Sequence, residues 1–188
     1  MGLAASWIAI RGLSREEVCR RLDAVDTRRP CDDLTTKLAL AELANGWIVV
    51  RSRQFDFPTP KRLSILSQGT EVIAGQIEEH VMVSLGRGFR DGAETWSVTH
   101  DPEQGLSSLV VVGDPPPGFA SISERLRREQ DAAGGDEADV DLVFDAVPEL
   151  VSELCGYRPD EGEPPTFVEL APIRRGLPGV LAAMFGRR

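Results

Sequence analysis

Apolar residues recur with a period of two in the middle of the chain and with a helical period in several flanking segments. Between residues 71 and 113, apolar and polar positions alternate, and turn signals separate the runs. This alternation predicts an antiparallel meander of about four strands. An apolar run at residues 5–11 predicts a strand before the meander, and residues 166–170 are compatible with a last strand after it.

Four segments carry signals that are typical of helices. Residues 14–17, SREE, form a capping box in which the serine and the second glutamate satisfy each other's free backbone donors. Residues 61–67 predict one or two helical turns. An amphipathic helix is expected to begin in the proline-rich stretch after Asp114 and to run to about Gln130. A further helix is predicted between Pro148, which is typical of a helix start, and Gly156, which is typical of a helix end.

The region between the first helix and the meander predicts a loop and then a hairpin. Residues 26–36 contain Asp, Arg, Pro and Thr without periodicity, which indicates a loop. Residues 37–43 and 47–51 flank an Asn-Gly pair, which tolerates the positive φ angles of a tight turn. Residues 38–43 are also compatible with a short helix.

The order of these elements indicates an α+β domain. Because strands and helices are largely segregated along the chain, we expect a largely antiparallel sheet with the central meander, and helices packed on one face. The domain is expected to span residues 1–170, followed by a basic C-terminal tail at residues 171–188. The tail has four arginines and no acid, so it carries +4 and the rest of the chain −13. It is compatible with folding back, with exchange onto a second copy in a homodimer, or with disorder.

Charge and composition exclude several classes of partner. The net charge of −9 argues against nucleic acid, whose binding requires Lys and Arg to neutralise phosphates, and favours an unidentified protein partner with a basic surface. No apolar run approaches the roughly 18 residues of a membrane span. The three cysteines lack metal-ligand spacing, which favours a cytoplasmic location. Phosphate-binding and dinucleotide-binding motifs are missing as well, so no cofactor is expected.

Both histidines lie near the predicted central hairpin. An Asp91-Gly92 turn would pair Arg90 with Ala93 and would then place Val83 opposite His100 on the apolar side. His100 with Asp101 is a candidate catalytic pair, because an imidazole beside a carboxylate can act as a general base near neutral pH. The alternative is that His100 covers the end of the apolar face.

His80 and Glu79 are candidate metal ligands, with Glu78 beside them. In a regular ladder His80 has the opposite parity to His100, so the two imidazoles should point to opposite faces and should not converge on one ion. A bulge at Gly86 or Gly88 would reverse this orientation, and the sequence leaves that alternative open.

The stretches "EEHVM", "WSVTHD" and "DVDLVFDAVPELVSELCGYR" resemble sequences in bacterial proteins of unassigned function. The resemblance covers most of residues 3–170 and leaves the basic tail outside. It implies a bacterial source and no catalytic residue.

Two functional hypotheses follow. The first is a non-catalytic binding or interaction protein, of an inhibitor-like or immunity-like kind, that uses an acidic surface. The alternative is a small hydrolase or lyase that uses His100 and Asp101, with His80 available for a metal-dependent version.

Overall fold

The computed structural model describes residues 2–31 and 35–173. Within these residues, nine strands form one sheet in which all neighbouring strands are antiparallel. They are β1 Ala4–Arg11, β2 Ala24–Cys31, β3 Leu38–Glu42, β4 Trp47–Ser52, β5 Glu71–Glu78, β6 Val83–Arg90, β7 Ala93–His100, β8 Val110–Gly113 and β9 Phe167–Pro172. Their spatial order is β2-β9-β3-β4-β1-β5-β6-β7-β8.

Four α-helices accompany the sheet in the described part of the chain, and local signals define several of their ends. The Ser14 hydroxyl accepts a hydrogen bond from the Glu17 amide at the first helix, and the Thr59 hydroxyl accepts one from the Arg62 amide at the second. The last helix ends at Gly156, which adopts a left-handed conformation with φ +78°. The helices are α1 Arg15–Arg21, α2 Pro60–Leu66, α3 Gly118–Ala133 and α4 Ala146–Cys155.

The α+β class and the antiparallel sheet are confirmed, but the sheet is larger than the predicted meander. The meander corresponds to β5–β8. Five further strands extend it on the side of β5, beginning with β1. The sequence pattern predicts strands that are neighbours along the chain, whereas β1 pairs with the distant strands β4 and β5.

Helices cover both faces of the sheet, which corrects the prediction that they pack on one face. In β1, Trp7 and Ala9 belong to a core cluster that includes residues of α3 and α4. Ile8 and Ile10 belong to a second cluster with residues of α1 and α2. We call these two sides the α3–α4 face and the α1–α2 face. Because β1 is buried on both sides, it is a continuous apolar run rather than an alternating one.

The predicted loop at residues 26–36 is also wrong in part, because β2 occupies its first half. Among the strands of residues 2–31 and 35–173, this one lies at the end of the sheet and pairs with β9 alone. Its pairing register shifts between Asp26 and Pro30, and Arg28 between them has a φ of +55°. The strand is therefore irregular, and few of its side chains are buried. Its sequence lacks the alternation of apolar and polar residues by which a strand is recognised.

The register of the β6–β7 hairpin agrees with the prediction only next to its turn. Asp91 and Gly92 have φ angles of +52° and +85°, and Arg90 pairs with Ala93 as predicted. The next pair, Phe89 with Glu94, also follows the predicted register. The register then shifts between Phe89 and Gly88, because Thr95 is an extra residue of β7 between their partners Glu94 and Trp96.

This bulge changes all later pairs of the hairpin. His100 lies opposite Ser84, not opposite Val83 as predicted. Trp96 lies opposite Gly88, where an added Cβ would come within 2.0 Å of the Trp96 Nε1 atom. On the α3–α4 face, the buried residues of β6 are therefore small ones, Ser84, Gly86 and Gly88, which leave room for Trp96. An apolar alternation cannot identify such a face.

The predicted domain boundary at residue 170 falls inside β9, which continues to Pro172. Residues 174–188 of the predicted tail lie outside the described residues, so its three arrangements stay predictions. Within the described residues, no helix combines the length and apolar character needed to cross a membrane.

Candidate functional site

His100 is buried at the end of β7, and both of its ring nitrogens lie next to hydrogen-bond acceptors. Its side chain is 0% exposed. Nδ1 lies 2.8 Å from the carbonyl oxygen of Ser108, and Nε2 lies 2.9 Å from Oδ2 of Asp141. Because both neighbours accept hydrogen bonds, the arrangement favours the imidazolium, which donates from both nitrogens.

The pKa of His100 reflects opposing effects. Burial alone lowers this pKa, because a charged ring loses its hydration. The hydrogen bonds to Asp141 and to the Ser108 carbonyl outweigh burial, so the pKa of His100 is raised above its ordinary value. The pair is therefore a buried ion pair that joins β7 to the segment before α4.

Buried polar side chains also fix the segment that carries Asp141. The second carboxylate oxygen of Asp141 accepts a hydrogen bond from the Phe144 amide at 3.1 Å. Gln130, which is fully buried in α3, donates to the carbonyls of Gly135 and Val140. Its side-chain oxygen accepts from the Leu142 amide at 2.8 Å. These contacts hold the acidic loop after α3 in one conformation.

Ser84 lies opposite His100, so a serine–histidine–aspartate triad has to be considered. The Ser84 hydroxyl donates to the Phe144 carbonyl at 2.8 Å. Both ring nitrogens of His100 already have hydrogen-bond partners. Nε2 is bonded to Asp141, and Nδ1 is bonded to Ser108. In the described structure the imidazole thus has no nitrogen left to activate the serine, as a triad requires.

Asp101, the predicted partner of His100, has a different role. Its carboxylate accepts hydrogen bonds from the Glu103 amide and, at 3.4 Å, from the Gln104 side chain. These contacts cap a short 3-10 helix at residues 102–104. The structure therefore pairs His100 with Asp141, and Asp101 adds only a minor electrostatic contribution that raises the pKa of His100.

His80 and Glu79, the predicted metal ligands, do not share a partner. His80 is exposed, and its Nδ1 lies 2.6 Å from the Glu78 carboxylate. Glu79 instead accepts a hydrogen bond from the backbone amide of Leu3 at 2.7 Å. Within residues 2–31 and 35–173, no group of three or more His, Cys, Asp or Glu side chains is placed to hold a metal ion.

The largest concentration of charge lies in the segment from the end of α3 to the loop before β9. Residues 129–163 contain twelve carboxylates and one arginine, a net charge of −11, against +2 for all other residues together. The helical part of this segment packs on the α3–α4 face. We call its surface the acidic face.

Two arginines neutralise part of the acidic face. Arg125 contacts Glu129 and Glu149, and Arg158 contacts Asp145 and Asp160. The pKa of Arg158 is raised, because the hydrogen bonds and charges of these carboxylates outweigh its burial. Other acids on this surface are exposed and form no ion pair with a described residue, namely Asp131, Asp136, Glu137, Asp139, Glu153 and Glu163.

Sequence reasoning missed Asp141 and Gln130, the two side chains that fix the acidic loop. Asp141 is one of several aspartates in an acidic stretch, and no spacing distinguishes it from Asp136 or Asp139. Gln130 occupies a buried position on α3, and a glutamine among apolar residues at helical spacing was the available signal.

Protein-family models, curated proteins and solved structures were each compared with this chain, and none of the three comparisons finds a match.

Proposed function

We propose that this protein is a non-catalytic binding protein whose acidic face recognises a protein partner with a basic surface. The observation that carries the proposal is the segregation of charge: −11 on residues 129–163, against +2 elsewhere. Complementary charge across an interface steers association and selects partners.

The unpaired carboxylates support this proposal more than the total charge does. Glu137, Asp139 and Glu153 are exposed and have no ion pair with a described residue, so a partner that approaches them breaks none of the ion pairs that the structure describes. Gln130 and Asp141 hold the loop that carries two of them. A fixed loop loses less conformational entropy on binding than a flexible one.

The alternative function is a hydrolase or lyase that uses His100 with Asp101, or a metal at His80. General-base catalysis needs a ring nitrogen that can reach a substrate proton. In this structure Ser108 and Asp141 occupy both nitrogens of His100, and the side chain is 0% exposed. The geometry therefore argues against general-base catalysis by this residue.

The proposed function can be tested by capture from a bacterial lysate at two salt concentrations. We expect immobilised wild-type protein to retain proteins of high isoelectric point at about 50 mM salt and to lose most of them at about 0.5 M, because screening weakens charge-driven association. The triple variant E137Q/D139N/E153Q should retain them several-fold less well.

A matched control variant separates the acidic face from net charge. The variant D56N/E71Q/E94Q removes the same charge from positions outside residues 129–163. It should retain the same proteins as the wild type. Equal retention by all three proteins would refute the acidic face as the recognition surface, and so would retention that does not change with salt.

The metal-dependent alternative has its own test. Thermal melts in zinc, in manganese and with a chelator should coincide if His80 and Glu79 hold no ion, because a ligand that binds only the folded state raises the melting temperature. A rise of several degrees with either metal that is lost in H80Q would instead favour the enzyme hypothesis.

A further inference from the structure

A pocket with a different chemical character lies on the α1–α2 face. Its volume is about 480 Å³, within the range of small-molecule sites. It opens where β3 begins, β4 ends and β9 ends, and Leu38 and Phe57 in its wall also contact the apolar core of that face. The lining residues are Lys37, Leu38, Ser52, Arg53, Gln54, Phe57 and Pro172.

This pocket is cationic although the chain as a whole is acidic. Lys37 and Arg53 contribute two positive charges, and none of the described lining residues is a carboxylate. Neither cation forms an ion pair with a described residue. Arg53 makes one long hydrogen bond, 3.4 Å from Nη1 to the Thr35 carbonyl. Within the part of the chain that the structure describes, no carboxylate therefore competes with an anion for either charge.

The rest of the wall is apolar or uncharged. Leu38, Phe57 and Pro172 form its apolar part, and Gln54 provides an exposed amide. An inorganic anion would contact the two cations and leave the apolar wall in water. A molecule that joins an anionic group to an apolar group would cover both.

The loop that forms one side of the pocket is held by buried polar side chains of neighbouring strands. Ser6 in β1 donates to the Gln54 carbonyl, and Gln76 in β5 donates to the Phe55 carbonyl, each at 2.7 Å. Ser6 is 0% exposed and Gln76 is 5% exposed. These bonds shape the loop before any ligand arrives, which reduces the entropy that binding costs.

An adjacent arginine fixes the aromatic ring. The guanidinium of Arg62 lies over the Phe57 ring, 4.0 Å from its centroid, and also donates a hydrogen bond to the Phe57 carbonyl. Arg62 and Lys61 line a neighbouring pocket of about 280 Å³. That pocket also has Asp23 in its wall, so it is not purely cationic.

We propose that the Lys37–Arg53 pocket binds a small organic anion, a carboxylate or phosphate monoester attached to an apolar group. Lys37 and Arg53 hold the anionic group, and Leu38, Phe57 and Pro172 contact the apolar group. This site lies on the face opposite to the acidic face, so it does not depend on the function proposed above.

The test is a titration of the ¹⁵N-labelled protein followed by two-dimensional NMR, with octanoate and benzyl phosphate as probes. We expect saturable shifts of the amides of Lys37, Arg53, Gln54 and Phe57 at probe concentrations below about 10 mM. The neutral analogue 1-octanol and inorganic phosphate should each bind at least about fivefold more weakly, because each makes only one of the two kinds of contact.

Matched variants locate the binding energy. K37M/R53M should weaken octanoate binding about fivefold or more, since it removes both cations and keeps their alkyl chains. The control R127M/R128M removes the same charge from exposed positions of α3 and should change the affinity less than twofold. Well-dispersed spectra of both variants would show that they are folded.

Three results would overturn the proposal. The first is the absence of saturable shifts at the pocket with both anionic probes. The second is equal binding of octanoate and 1-octanol, which would mean that the cations do not contribute. The third is an equal loss of affinity in R127M/R128M, which would mean that only the net charge of the protein matters.

Discussion

At the residue scale, the contacts of His100 determine what its imidazole can do. A ring that donates from both nitrogens has no lone pair with which to accept a substrate proton. The same contacts join β7 to the segment before α4 through a buried ion pair. His100 is therefore expected to act on stability.

The stability that His100 provides should depend on pH. Because its pKa is raised in the folded state, its contribution is complete below the unfolded pKa of about 6.5 and is lost as the pH rises through the folded value. We expect the free energy of unfolding, measured with urea, to fall between pH 6 and pH 8. H100Q should lower it by roughly 1 to 3 kcal/mol at pH 6 and should reduce the pH dependence.

The exposed histidine provides the control for this prediction. H80Q should keep the wild-type fall in stability, because His80 is exposed and contacts only Glu78 among the described residues. A wild-type stability that rises from pH 6 to pH 8, or an H100Q variant with the full pH dependence, would contradict the ion pair.

The cysteines should differ in reactivity. Cys155 is fully buried, and burial raises the pKa of its thiol to about 11, so little thiolate is present at neutral pH. Burial also raises the pKa of the Cys19 thiol. We expect a thiol reagent to label the half-buried Cys31 first and the other two only on unfolding, as measured by mass spectrometry. Labelling of Cys155 as fast as Cys31 would contradict this order.

How much of the site is predictable differs between residues. The sequence predicts that His100 points to the buried side of its strand, because it has the same parity as Trp96 and Val98. These three residues do share the α3–α4 face. Its partner did not follow, because Asp141 is 41 residues away in the sequence. A contact over that distance depends on how α3 and the following loop pack on the sheet, which one sequence does not encode as a local pattern.

At the scale of elements, the bulge in β7 controls how the central hairpin packs. The extra residue Thr95 places Trp96 over Gly88. The Thr95 hydroxyl donates a hydrogen bond to the Gly88 carbonyl at 3.0 Å. Gly86 next to it faces Val147 of α4. The glycines of β6 thus make room for the Trp96 ring and for α4.

Alanine at these two glycines should have unequal effects. At Gly88 the new Cβ would lie 2.0 Å from Trp96 Nε1, so the ring would have to move. At Gly86 it would lie 3.1 Å from a Val147 methyl, which a small shift relieves. We expect G88A to lower the free energy of unfolding by about 2 kcal/mol or more, and G86A by about 1 kcal/mol or less. Chemical denaturation measures both, and equal values would contradict the register.

Sequence patterns predicted most elements that have strong local signals. The capped helix α1, the Asn-Gly hairpin and the meander are examples. The patterns failed for β2, whose irregular pairing hides its period, and for β6, whose buried residues include Ser84 and two glycines. In both strands the side-chain pattern alone therefore does not identify the strand.

At the scale of the whole molecule, the acidic face should reduce the stability of the fold. Like charges on one surface repel each other, and Glu137, Asp139 and Glu153 have no ion pair with a described residue that would offset this repulsion. We expect E137Q/D139N/E153Q to melt a few degrees higher than the wild type at about 20 mM salt, measured by circular dichroism.

This difference should shrink at about 0.5 M salt, because ions screen the repulsion. The control D56N/E71Q/E94Q should not gain stability, since Glu71 and Glu94 contact Arg90 and Arg87. A triple variant that melts lower than the wild type at low salt would mean that these carboxylates stabilise the fold. A higher melting temperature of the triple variant would mean that the native carboxylates lower the stability of the fold, as expected of groups kept for the proposed binding function.

The position of β9 has a consequence for how the chain is made. This strand is late in the sequence but lies inside the sheet, between β2 and β3, and among the described strands β2 pairs with no other. During translation, β2 is synthesised about 140 residues before β9. At ordinary elongation rates, β2 therefore lacks its pairing strand for several seconds or more. A nascent chain that stalls before residue 167 cannot place β9 between β2 and β3. The edges of β2 and β3 that β9 would cover are then exposed to chaperones and proteases.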